Sequence, residues 1–187
     1  MQKIGKIVVV AAAALSLAAC GQDAKTETAA PAGSPAPSSA AAPATQSKGR
    51  ECTADDIKTT GKFGEKPEIT IPDDCDPPKK LITKDLSEGT GSGAKAGQQL
   101  QMNYHLVTWS DKQVLDSSFG QKPFGLTLGA GDVIPGWDQG LVGIKQGGRR
   151  LLIIPPDLAY GQGGRGIQPN ETLVFVTDAV SVPNDKG

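Results

Sequence analysis

The chain has 187 residues, with 19 lysines and arginines against 20 acidic residues, for a net charge of −1. It shows no basic patch or stripe, which argues against nucleic acid as a partner. With one histidine and three widely spaced cysteines, neither a metal site nor a cofactor is expected.

Residues 1–19 carry Lys3 and Lys6 ahead of the run Ile7–Ala19, which only Ser16 interrupts. Such a run is too short to span a bilayer and suits the apolar core of a signal peptide. It ends Leu17-Ala18-Ala19-Cys20, which resembles a bacterial lipoprotein signal, in which the cysteine becomes the acylated first residue. The plainer alternative is a secretory cleavage site that happens to precede a cysteine. On the lipoprotein reading Cys20 is the lipidation site and the lipid is the only membrane contact. The protein then sits on the extracytoplasmic side of the cell membrane, at the cell surface or in the periplasm. Losing Lys3 and Lys6 takes the basic groups from 19 to 17 against 20 acidic ones, a net charge of −3.

Residues 20–50 are rich in Ala, Pro, Ser, Thr and Gly and hold no large apolar side chain. They cannot bury enough surface to offset ordering entropy, so a disordered tether is expected. Residues 51–78 differ: Phe63, Ile69 and Ile71 are spaced by turn residues, and Glu68-Ile69-Thr70-Ile71 alternates as a strand does. Cys52 and Cys75 are the two cysteines left in an exported chain, a situation that favours a disulfide over a redox or metal site. This segment reads as a stapled extension beside the main domain, adding an edge strand to it; alone it is too small to be a domain.

From residue 79 to 184 the signals are those of an antiparallel sheet. Leu81–Leu86 is a strand ended by a glycine-rich turn. In Gln99–Val107, Leu100, Met102, Tyr104 and Leu106 point one way and Gln99, Gln101, Asn103 and His105 the other, so His105 should face outward. Ser110-Asp111-Lys112 turns into Gln113–Asp116, and Phe124–Leu128 follows. Arg149–Ile154 is a strand stopped by Pro155-Pro156, its two arginines reading as a solvated edge, and Thr172–Val182 is the last strand. The fold class is α+β, with a bent five- or six-stranded antiparallel sheet half-wrapped around one short helix.

That helix lies in Val133-Ile134-Pro135-Gly136-Trp137-Asp138-Gln139-Gly140-Leu141. Pro135 suits the first helical position, where its missing N–H costs nothing. Gly136 leaves the turn open to an approaching group. Trp137 offers a flat apolar surface, and Leu141 shares its side of the helix. Together these make a floor for an apolar pocket. Gly161–Gly166 is glycine-rich but follows no strand and opens no helix, so it is not read as a phosphate loop.

Tyr104, Val114-Leu115-Asp116-Ser117-Ser118-Phe119, Lys122-Pro123-Phe124, Val133–Trp137, Ile154–Gly161 and Pro169–Phe175 follow one another in a specific order. The chain from Lys79 to Pro183 resembles an FKBP domain, the macrolide-binding peptidyl-prolyl cis-trans isomerases. The resemblance implies a catalytic pocket lined by Tyr104, Asp116, Phe124, Val133, Ile134, Trp137, Tyr160 and Phe175. In it Trp137 is the floor, and the Ile134 N–H and the Tyr160 hydroxyl donate to ligand carbonyls. Leu115 stands where the family usually has an aromatic residue, and Ile167 is the best match to the apolar residue of a loop that is shorter here; both are assigned to substrate binding. The implied partners are proline-containing exported polypeptides, with macrolides such as rapamycin as ligands.

Rotation about a peptide bond costs about 18–20 kcal/mol because amide resonance is lost, so uncatalysed X–Pro isomerisation takes tens to hundreds of seconds. No nucleophile is required, only surroundings that favour the twisted amide. Asp116 then serves as a hydrogen-bond acceptor at the rim, from Tyr104 or from bound peptide, or simply as a turn cap. The alternative function is a proline-peptide-binding or chaperone module of the same fold without turnover.

Overall fold

The computed structural model describes residues 47–183. The signal-like segment, Cys20 and all but the last few residues of the tether lie outside the described residues. In chain order the elements are β1 (Lys58–Thr59), β2 (Ile69–Thr70), β3 (Ile82–Ser87), β4 (Gln99–Thr108), β5 (Val114–Ser117), β6 (Phe124–Thr127), α1 (Pro135–Gly140), β7 (Arg149–Ile154) and β8 (Leu173–Ser181). Most ends fall within a residue or two of those expected, and β7 coincides with its expected range.

Six strands make one sheet in the order β3-β7-β8-β4-β5, with β6 also paired to β4. Every pairing is antiparallel. The apolar set of β4 packs as its alternation requires, with Leu100, Met102 and Leu106 buried in the main core beside Leu126, Leu128, Leu152, Ile154 and Phe175. Helix α1 covers this concave face. Pro135 occupies its first turn, and Leu141 N donates to Trp137 O at 2.9 Å to close it. Gly136 is not left open for a ligand: a Cβ there would lie 2.3 Å from Ile154 Cγ2, so the glycine lets the helix sit directly on β7. Helix–sheet contact is what it serves.

The back of the sheet carries a second core. Ile57, Ile71, Cys52 and Cys75 of the extension pack with Val107, Trp109, Leu151, Ile153, Val174 and Val176. Cys52 and Cys75 are bonded, with their Cα atoms 5.1 Å apart. The extension does not add an edge strand: β1 and β2 pair only with each other, Lys58 opposite Thr70 and Thr59 opposite Ile69. It lies across the sheet as a cover, because its isoleucines find apolar partners on the face rather than at the edge.

That cover, with β3 and the end of α1 on the other side, overturns two solvated assignments. His105 does point away from the main core, but the face it points to is closed, and it is 2% exposed. Burial, with Lys66 nearby, holds its imidazole below the ordinary histidine value, and its Nδ1 has no hydrogen-bond partner. Arg149 and Arg150 are no edge either; β7 lies inside the sheet, and both are buried. Arg149 Nε and Nη2 donate to the fully buried Asp178 at 2.6 and 2.9 Å, and Nη2 also donates to Glu65 O at 2.6 Å. Gly64 N–H donates to the same Asp178 carboxylate at 2.6 Å, so the loop after β1 closes over the pair. On the opposite face Arg150 donates to Asp85 and to Gly140 O and Val142 O, supplying a cation to the carbonyl end of α1.

Candidate active site

The concave face ends in a group of four rings. Tyr104 on β4, Phe124 on β6 and Phe175 on β8 meet Trp137 of α1 edge-on, with centroids 5.5, 6.0 and 5.4 Å from the indole. Tyr104 also meets Phe124 and Phe175 edge-on at 6.0 and 6.4 Å. Edge-to-face pairs of this kind contribute about 0.5–1.5 kcal/mol each beyond area burial. They fix the rings upright around the indole. Val133, Ile134 and Tyr160 are partly buried against the same cluster. With Asp116 held to Tyr104, the eight residues expected in the pocket gather in one place, although they come from four strands, a helix and two loops.

Burial is uneven among them. Trp137 is 4% exposed, whereas Phe124 is 40% exposed and forms the open side. The indole Nε1 is buried without a hydrogen-bond partner, a state that costs about 1–3 kcal/mol and is rare outside functional or strained sites. Among the described residues the Ile134 N–H and the Tyr160 hydroxyl make no hydrogen bond either, although Ile134 O accepts from Trp137 N and Asp138 N to begin the helix. The rim thus holds donors that a bound carbonyl could take up.

Asp116 takes the acceptor part at the rim, bonded to Tyr104 and to its own chain neighbour. Its Oδ2 accepts from Tyr104 Oη at 2.5 Å and its Oδ1 from Ser117 N at 2.7 Å. Burial first, then this bond to Asp116, pushes the Tyr104 hydroxyl up to about 12, so it remains a protonated donor across the physiological range. Leu115 lies where β4 and β5 shift register between Leu106 and Val107, and it is 39% exposed, outside the ring cluster. Ile167, at 8% exposed, is packed into the core beneath the loop instead of standing open to solvent.

Two positioning groups had gone unnoticed. Ser118 pins the backbone of Tyr104, its Oγ accepting from Tyr104 N at 2.9 Å and its own N–H donating to Tyr104 O at 3.0 Å. Asp138 in the first turn of α1 accepts from Gly129 N at 2.8 Å and Gly131 N at 3.0 Å, which folds the loop leading to Val133 and Ile134. An acid early in a short helix after a glycine-rich loop was the readable signal. The other partner of this loop could not be read, because glycine N–H groups look alike in sequence.

A bent antiparallel sheet closed by one short helix, with an aromatic box at its open end, defines a class of small domains built to receive a proline ring. The family model for FKBP-type peptidyl-prolyl cis-trans isomerase matches residues 91–179. A Streptomyces anulatus FK506-binding protein is 49% identical over 122 residues, covering 63% of this chain and 98% of that one. A Neisseria meningitidis serogroup B FK506-binding protein is 41% identical over 106 residues, 54% of this chain and 95% of its own. The crystal structure of AtFKBP13 aligns over 57% of this chain and 96% of its own, with a TM-score of 0.52 and 34% identity. The chain belongs to the FKBP-type peptidyl-prolyl cis-trans isomerase family, and it is an enzyme of that kind.

Proposed function

We propose that this chain speeds X–Pro isomerisation in exported proteins at the cell envelope, holding the proline ring among Tyr104, Phe124, Trp137 and Phe175. The observation that carries the reading is the ring box itself, edge-on aromatics about one indole with unpaired donors at its rim. A planar amide has the larger dipole and is better solvated by water. A dry aromatic box penalises it more than the twisted form, while the Ile134 N–H and the Tyr160 hydroxyl hold the flanking chain. Val133 and Phe175 narrow the box; Asp116, by fixing the Tyr104 hydroxyl, keeps the ring upright. Rings of this size and spacing would also accept the pipecolyl-like ring of a macrolide such as rapamycin.

The envelope assignment draws on the signal-like segment ending at Cys20 and on the Cys52–Cys75 bond, since disulfides persist in oxidising compartments. Acylated Cys20 would be the anchor and residues 20–50 the tether. The isomerase reading is tested by exchange spectroscopy on a Leu-Pro peptide, free of any coupled protease. Wild-type protein should raise the exchange rate, and Phe124→Ala should lower kcat/KM roughly tenfold, in line with the 1–2 kcal/mol of an exposed aromatic wall. Binding without exchange would leave only a proline-gripping module. Incorporation of an alkyne-tagged fatty acid, lost in Cys20→Ala, tests the anchor separately.

A further inference from the structure

Residues 160–170 form a loop held by its own hydrogen bonds. Gly163 N donates to Tyr160 O at 2.8 Å, Gly164 and Ile167 exchange two bonds at 3.0 Å, and Asn170 N donates to Gly161 O at 2.8 Å, closing the neck. Asn170 takes a left-handed φ of 59° there, which asparagine tolerates better than most residues. Ile167 is buried with Trp137 and Phe175 in the main core, and Tyr160 packs against that core from the base of the loop. A unit so closely bonded within itself moves as one body, so whatever fixes its neck also aims the Tyr160 hydroxyl.

The residue after the neck is Glu171. It is 5% exposed, and among the described residues no cation pairs with it. Burying a carboxylate without a countercharge is costly unless donors replace the water it loses. Ser110 supplies two: its N–H donates to Oε1 at 2.9 Å and its hydroxyl to Oε2 at 2.5 Å. Beside them Trp109 N donates to Thr172 O at 3.0 Å, so three bonds tie the chain entering β8 to the end of β4. Ser110 is a firm post, because Thr108 Oγ1 and Gln113 N both donate to Asp111 Oδ1 and brace the turn it opens. We infer that Glu171 is a positioning residue for the isomerase site: its carboxylate, latched to Ser110, sets the tilt of the 160–170 loop and thereby the aim of the Tyr160 hydroxyl at a substrate carbonyl. The inference rests on the isomerase reading, in which that hydroxyl holds the chain beside the proline.

The test is a double-mutant cycle with Tyr160, read as kcat/KM on one Leu-Pro peptide. In the wild-type background Glu171→Ala should lower kcat/KM about two- to threefold, no more than loss of the hydroxyl itself. In the Tyr160→Phe background it should have almost no effect, because the group it aims is gone. Glu171→Gln keeps an acceptor for Ser110 N and should stay within about 1.5-fold of wild type. An equal loss in both backgrounds, or no loss in either, overturns the inference, since a merely structural residue acts without regard to Tyr160. Amide hydrogen exchange reads the latch independently of turnover. In Glu171→Ala the Asn170 N–H should speed up by a larger factor than the Leu151 and Val176 N–H groups of the sheet; an equal factor means global loosening only and also overturns it. If Glu171→Ala does not fold, Ser110→Ala, which removes one of the two bonds, takes its place with smaller changes of the same kind. If wild-type protein turns over no peptide, the isomerase reading itself fails, and the Kd of the labelled peptide, read by fluorescence anisotropy, replaces kcat/KM in the same cycle.

Discussion

The two faces of the sheet are both withdrawn from water, yet they differ in what they ask of their polar groups. The back face commits most of its own to an internal ion pair, with His105 Nδ1 and Arg149 Nη1 left over, and the concave end turns its own towards an opening. On the back face, polar groups are paired across long stretches of chain: Arg149 with Asp178, and both with the Gly64–Glu65 backbone. The concave face ends in four rings with Phe124 open to solvent and rim donors lacking protein partners. A buried ion pair is costly unless hydrogen bonds meet most of its capacity, and the extension supplies two of them through Gly64 N and Glu65 O, leaving Arg149 Nη1 without a partner. Donors at a partly exposed rim are met by water until a ligand carbonyl replaces it. The division is one of labour: the back holds the sheet's shape, and the concave end does the chemistry.

The largest effect should come from breaking the back face. Asp178→Ala leaves Arg149 buried and unpaired and should cost about 3–5 kcal/mol of unfolding free energy in denaturant titration. The kcat/KM of the molecules that remain folded should stay within about twofold, since the pair touches none of the rings of the site. A large fall in that value would mean the faces are coupled, with Phe119 the contact to suspect, its ring 5.7 Å from the Arg149 guanidinium.

Next is the staple. Replacing Cys52 and Cys75 by Ser removes a cross-link over 23 residues and should cost about 3 kcal/mol on a chain-entropy estimate. Again turnover by the folded fraction should hold. A free-thiol assay on the folded wild-type domain, residues 47–187, should find none. On the other face, Tyr160→Phe should do the reverse, lowering kcat/KM about two- to tenfold with little change in stability, the size of one hydrogen bond to substrate.

Two titrations refine the contrast. His105 is held below its ordinary value by burial. Its contribution to stability is therefore complete above the unfolded histidine value near 6.5 and is lost as pH falls from there through the lowered folded value. His105→Gln should remove that acid-side loss from the pH dependence of the denaturation midpoint. The smallest effect is expected at Tyr104, whose hydroxyl is raised to about 12. Its stabilising bond to Asp116 is fully present below the unfolded tyrosine value near 10 and is lost only as pH rises through 12, so kcat/KM should be flat from pH 6 to 9.

Local pattern carried much of this protein. Alternation in Gln99–Val107 placed Leu100, Met102 and Leu106 on the core face, and Pro135 marked the first turn of α1, because both features depend on residues within one strand or one turn. The ordered motifs located the ring cluster for a similar reason: each block is a short continuous stretch at the end of one strand or helix. What covers a face is not a local property. The burial of His105, Arg149 and Arg150 was decided by the extension and by partners 29 and 65 residues away, Asp178 and Asp85. The purpose of Gly136 was decided by Ile154 on β7, and the fate of β1 and β2 by the apolar back of a sheet formed from later residues. Period reports which side chains share a side; only the packed chain determines whether water, a helix or a disulfide-bonded flap lies opposite them.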